Sequence, residues 1–135
     1  MIKQVLLFRR DLNMRKGKIA AQVAHACMKV FFDRGTILTN PDGSKHLLIP
    51  LTPEMVSWIE GAFTKIVLST ESEVDLLAAL AVAQAAGLPC ALIRDMGATE
   101  FHGVPTHTAI AIGPVEAAEI DRITGPDGVI RTSLA

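Results

Sequence analysis

The run Val5-Leu6-Leu7-Phe8-Arg9-Arg10-Asp11-Leu12-Asn13-Met14-Arg15-Lys16-Gly17-Lys18-Ile19-Ala20-Ala21-Gln22 decides the fold. Its first four residues form a short apolar stretch closed by three charges, which predicts a buried strand over residues 2–8. A polar loop follows, with Asn13 as a candidate helix cap. From 16 to 33 the apolar residues Ile19, Val23, Ala26, Cys27, Val30 and Phe31 recur at helical spacing, and Gly35 is the stop signal. A buried strand feeding an amphipathic helix is the opening unit of an α/β sheet.

The alternation continues downstream. Within residues 35–50, Asn40-Pro41-Asp42-Gly43 is a turn between two short apolar pieces, which predicts a hairpin or an excursion from the main sheet. Thr52-Pro53-Glu54 opens a helix that runs to Gly61. Residues 65–69 form a strand, and 70–86 an alanine- and leucine-rich helix with Glu71, Glu73 and Asp75 at its positive end and Gly87 at its close. A strand over 90–94, a loop over 95–107 and a strand over 108–112 come next. Gly113-Pro114 then reads as a turn into a helix over 115–124. Helical crossovers imply a mostly parallel sheet. The 135 residues, 50% apolar and 20% charged, suit one α/β domain spanning residues 1–135, without repeats or low-complexity linkers.

Several function classes are excluded. No apolar stretch approaches the roughly 20 residues needed to cross a bilayer, so no membrane partner is expected. Met1-Ile2-Lys3-Gln4 enters a strand pattern and not a secretory leader, which makes the cytoplasm the expected location. Cys27 and Cys90 sit in separate apolar segments and read as small buried hydrophobes. There is no G-x-S-x-G elbow, no Gly-rich phosphate loop and no dinucleotide fingerprint. Glu100, His102 and His107 lack zinc-type spacing. With Tyr absent and Trp58 alone, platforms for stacking single-stranded bases are scarce, and Trp58 reads as packing.

Charge is segregated. Residues 1–34 carry eight Lys/Arg against two acids, a balance of +6, while the other 101 residues carry five against twelve, or −7. Early cations that share a face make a patch for a polyanion; the alternative is that they pair with acids elsewhere. On the first helix Lys18, Gln22, His25 and Lys29 stand at steps of four, three and four, a polar stripe opposite the apolar face. Gly17, Ala20, Ala21 and Ala24 leave room beside it for another backbone or a ligand. A plain amphipathic helix would show the same stripe, and His25 could be structural. Asp95 closes an apolar strand and is followed by Gly97 and Thr99, so it can present a carboxylate beside a hydroxyl where strands end. An Asx turn is the alternative reading of Asp95.

Further runs are Lys3-Gln4-Val5-Leu6, Asp11-Leu12-Asn13-Met14, Lys16-Gly17-Lys18-Ile19-Ala20-Ala21-Gln22 with His25-Ala26, and Lys65-Ile66-Val67-Leu68. Gly87-Leu88-Pro89, Asp95-Met96-Gly97-Ala98-Thr99-Glu100, Thr108, Ala111-Ile112-Gly113-Pro114, Ile120-Asp121 and Ile123-Thr124-Gly125 follow in order. Together they resemble the peptidyl-tRNA hydrolase type II family over nearly the whole chain. The most specific run is Gly-Lys-Ile-Ala-Ala-Gln-x-x-His-Ala. Residues 36–50 are longer than the family pattern, Met96 replaces a usual alanine, and the loop from Thr99 to Thr108 is one residue longer, which leaves Thr106 as a competitor for the position matched by Thr108.

The resemblance implies a mixed, mainly parallel four-stranded sheet between helical layers, a homodimer, and hydrolysis of peptidyl-tRNA in ribosome recycling with no metal or organic cofactor. It carries Lys18, Gln22, Asp95, Thr99 and Thr108 over as active-site positions, with His25 nearby. In the expected mechanism Asp95 orients or deprotonates water, Lys18 stabilises negative charge through its own, and Thr99 and Thr108 position them. Arg9, Arg10, Arg15 and Lys16 are expected to hold tRNA phosphates. Two other readings stay open: a non-catalytic regulatory or interaction module on the same scaffold, and an esterase for a different acyl adduct.

Overall fold

The architecture comes from a computed structural model, which describes residues 1–98 and 100–135. Strand β1 (Ile2–Arg9) is followed by a single 3-10 turn (Arg10–Leu12) and helix α1 (Lys16–Phe32). A hairpin, β2 (Thr36–Thr39) and β3 (Lys45–Leu48), stands apart from the main sheet. Helix α2 (Pro53–Glu60), strand β4 (Lys65–Thr70), helix α3 (Glu73–Ala85) and strand β5 (Cys90–Asp95) come next. The chain closes with β6 (Thr106–Glu116), α4 (Ala117–Thr124) and the short edge strand β7 (Ser133–Leu134).

The main sheet has the order β5-β6-β1-β4-β7. Side chains of β1 alternate between two cores. Val5 and Leu7 join Leu76, Leu80, Ile120 and Ile123 of α3 and α4 on one face, while Leu6 and Phe8 join Ala26, Val30 and Met55 of α1 and α2 on the other. Burial on both faces accounts for the unbroken apolar run Val5-Leu6-Leu7-Phe8. Trp58 is packing, as its surroundings require: its ring stacks on Phe31 with centroids 5.7 Å apart, and its indole N–H donates to the Thr64 carbonyl at 2.8 Å. Cys27 and Cys90 are free, half-buried thiols whose pKa burial pushes up.

The single α/β domain and mixed sheet agree with expectation, but the strand count and the parallel majority do not. Among the described residues the main sheet has five strands, and of their pairings only β1 with β4 is parallel. The helical crossovers do leave β1, β4 and β5 pointing the same way. However, the described residues between β5 and β6 form no helix, and β6 turns back beside β5 and inserts between it and β1, which makes both of its contacts antiparallel. Gly113-Pro114 is not a turn into a helix either. The strand continues to Glu116, and the two residues form a bulge opposite Gln4, where the register shifts between Lys3 and Val5. Asn13 closes the 3-10 turn in the left-handed conformation (φ 51°) and does not cap α1, whose first flanking residue is Arg15.

Candidate active site

Lys18 lies in the first turn of α1 and Asp95 is the last residue of β5. Because α1 crosses over β5, β6 and β1, its first turns meet the ends of those strands. Lys18 Nζ donates to Asp95 Oδ1 at 2.8 Å, and the two side chains are only 12% and 15% exposed. One turn on, Gln22 Nε2 donates to the same oxygen at 3.3 Å. Its Oε1 accepts from the Thr108 hydroxyl at 2.5 Å. An ionised carboxylate only accepts hydrogen bonds, so the Gln22 amide must turn its nitrogen to Asp95, and the Thr108 hydroxyl donates to the oxygen left behind.

The other carboxylate oxygen, Oδ2, accepts the Gly97 backbone N–H at 2.8 Å. Asp95 thus makes the Asx turn and also faces Lys18, one oxygen for each task. The Lys18 hydrogen bond, aided by those from Gly97 and Gln22, holds the Asp95 carboxyl below the usual carboxylate range, against the opposing effect of burial. Such a carboxylate is ionised throughout the neutral range and is a weak base, better suited to orienting water than to stripping it of a proton. The ammonium beside it can stabilise negative charge that develops nearby.

The other expected residues divide. Thr108 is fully buried under Gln22, whereas Thr106 turns away and donates to the Val104 carbonyl at 2.9 Å. Gln22 is buried with Ala26 and Val30, so the polar stripe does not all point away from the apolar face. His25 is exposed, and its imidazole has no hydrogen-bond partner among the described residues. Thr99 lies outside the described residues. Arg9 is drawn inward, only 11% exposed, where it bonds Asp11 at 2.7 Å, Glu73 at 3.2 Å and the His107 carbonyl at 3.1 Å. Arg10, Arg15 and Lys16 remain at the surface, Arg10 loosely paired with Glu71 at 4.0 Å and Arg15 with Glu100 at 3.7 Å.

Phe101 is a functional candidate that sequence reasoning misses. Its ring lies 5.6 Å from Lys18 Nζ. No motif marks it, because the contact depends on the path of the loop. Among the described residues no group of three or more His, Cys, Asp or Glu could hold a metal ion, and no helix is long and apolar enough to cross a membrane.

The family described as peptidyl-tRNA hydrolase PTH2 matches residues 2–126. Curated relatives include the peptidyl-tRNA hydrolases of Methanocaldococcus jannaschii, 36% identical over 92% of this chain and 96% of that protein, and of Haloquadratum walsbyi, 40% identical over the same shares. That of Methanopyrus kandleri is 36% identical over 97% of this chain and all of its own length. With the match running from the first strand through the last helix, the chain belongs to the peptidyl-tRNA hydrolase PTH2 family.

Proposed function

We propose that the protein hydrolyses peptidyl-tRNA, cutting the ester between the peptide and the terminal ribose of tRNA. The observation that carries this reading is the shielded Lys18–Asp95 pair at the end of β5, within the stretch matched to the family. Water oriented by Asp95 attacks the ester carbonyl. The resulting oxyanion is stabilised by the Lys18 ammonium, and collapse breaks the bond to the ribose oxygen, which leaves as a hydroxyl with the proton that the attacking water gives up. Gln22 and Thr108 act behind Asp95 by fixing its orientation, and Thr99 keeps the positioning role that its match implies. Arg10, Arg15 and Lys16, exposed around the start of α1, contact phosphates of the tRNA. Arg9 instead braces the strand ends through Asp11 and Glu73.

The protein works in the cytoplasm, in ribosome recycling, as a homodimer. Support for the dimer comes from an apolar groove of about 610 Å³ lined by Phe32, Leu47, Leu48, Ile59 and Phe63, exposed side chains of a kind that association covers. The deciding experiment is peptide release from purified peptidyl-tRNA by wild type and Asp95→Asn, with small aminoacyl esters as competitors. The reading requires release by wild type and its loss in the variant. Binding without release supports a non-catalytic module, and release blocked equally by small esters supports a general esterase.

A further inference from the structure

Backbone hydrogen bonds tie together described residues of the connection between β5 and β6. The Gly103 N–H donates to the Gly97 carbonyl at 2.9 Å, and the Val104 N–H to the Phe101 carbonyl at 2.9 Å. Gly97 (φ 82°), His102 (φ 52°) and Gly103 (φ 75°) all take left-handed backbone conformations. A Cβ on Gly97 would stand 2.6 Å from the Val104 backbone, so glycine is needed for the two arms to touch. This closure delivers Phe101 and Glu100 onto the first turn of α1. Glu100 meets Arg15, while the Phe101 ring packs against the α1-side core and faces Lys18.

We propose that Phe101 is a positioning residue for the hydrolysis: its ring face, fixed by packing in the core, holds the Lys18 ammonium against Asp95 and keeps water from it. This rests on the function proposed above. A cation 5.6 Å from a ring centroid is within the range of attraction to the π face. The ring also replaces solvent on one side of a pair whose partners are already mostly covered, and screening weakens as water leaves. A branched aliphatic side chain at 101 would fill much of the same space without a π face. The charged groups presented around Asp95 are Lys18 and, farther out, Arg15 paired with Glu100. Arg94 and His107 follow in the strand register, with His107 turned to Glu73 of α3.

The test compares Phe101→Leu, Phe101→Met and Phe101→Tyr in the full chain, each first checked by thermal melting. Two readouts are taken: titration of the Asp95 carboxyl by NMR, without substrate, and steady-state release of peptide. Leu and Met are expected to move the Asp95 midpoint up toward the ordinary carboxylate value and to lower kcat roughly three- to tenfold, with KM within twofold of wild type. Tyr, which keeps the π face, is expected to retain both. A wild-type Asp95 titration in the Leu and Met variants overturns the proposal. So does a loss in Tyr as large as in Leu, or a raised KM with the titration unmoved, since either would make the ring a plain wall. If wild type releases no peptide the proposed function fails, yet the titration still decides whether Phe101 holds the pair.

Discussion

Thr108 donates to Gln22 Oε1 where neither group meets solvent, so deleting its hydroxyl leaves a buried amide oxygen without that partner. Thr108→Val is expected to cost about 1–2 kcal/mol of stability and to lower turnover about tenfold, because the Gln22 amide is then less firmly aimed at Asp95. Thr106→Val should change neither; urea unfolding and release kinetics measure both variants. In the proposed reaction Asp95 sets the pH dependence. Its folded pKa is depressed, so its stabilising contribution is complete above the unfolded value near 3.9 and is lost as pH falls through the lower folded one. The kcat/KM profile should therefore stay flat from neutrality to about pH 5, with its acid limb below about 4; a limb near pH 6 would show that another group is required in its ionised form. Lys18, Gln22 and Asp95 are legible from motif and spacing. The burial of Gln22 is not, because a polar stripe on a helix reads as solvent-facing until the strand ends it covers are known. Arg9 reads as a phosphate ligand for a similar reason: Asp11 adjoins it in sequence, but Glu73 and the His107 carbonyl reach it only in the fold.

Helix α1 presents Lys18 in its first turn, and Gly17 sits there with no described atom beyond its chain neighbours and its own helix backbone within 4 Å of where a Cβ would stand. Among the described residues nothing requires glycine. Gly17→Ala should stabilise the helix by up to about 1 kcal/mol. If tRNA approaches closely here, the same change weakens tRNA binding; unaltered affinity would assign Gly17 no contact. Elements with strong local signals fall where the sequence puts them. Thr52 caps α2 by accepting from the Met55 N–H at 3.1 Å, and Asn40 to Ser44 form the hairpin turn with Gly43 at φ 88°. Sequence and structure part where a local signal serves a distant need. Gly113-Pro114 looks like punctuation, yet the bulge it forms accommodates Gln4, whose amide donates to the Gly113 carbonyl at 3.2 Å. The antiparallel placing of β6 is equally hidden, since strand order depends on which edge a helix-free connection returns to.

Across the whole molecule four of the eight cations in residues 1–34 are taken up by acids, three of them by acids distant in sequence. Lys3 pairs with Asp121 at 2.7 Å, Lys18 with Asp95 and Lys29 with Asp33 at 2.9 Å, and Arg9 is taken up by Asp11 and Glu73. Of the eight cations in residues 1–34 this leaves Arg10, Arg15 and Lys16 as a small patch around the start of α1, and Arg34, which donates to the Pro50 carbonyl at 3.0 Å, beyond its far end. Three phosphate contacts predict that log affinity for tRNA falls against log salt with a slope of roughly −2 to −3. A slope near −6 would mean that the paired cations let go of their acids on binding, and a flat line would remove the patch from tRNA recognition altogether. Single-turnover release by Lys18→Ala, Asp95→Asn and the double variant measures whether Lys18 and Asp95 work as one unit in a single cleft. Each single change should slow release about a hundredfold or more, with the double variant within a few-fold of the slower single one. Multiplied losses in the double variant, or wild-type release by Asp95→Asn, would contradict it.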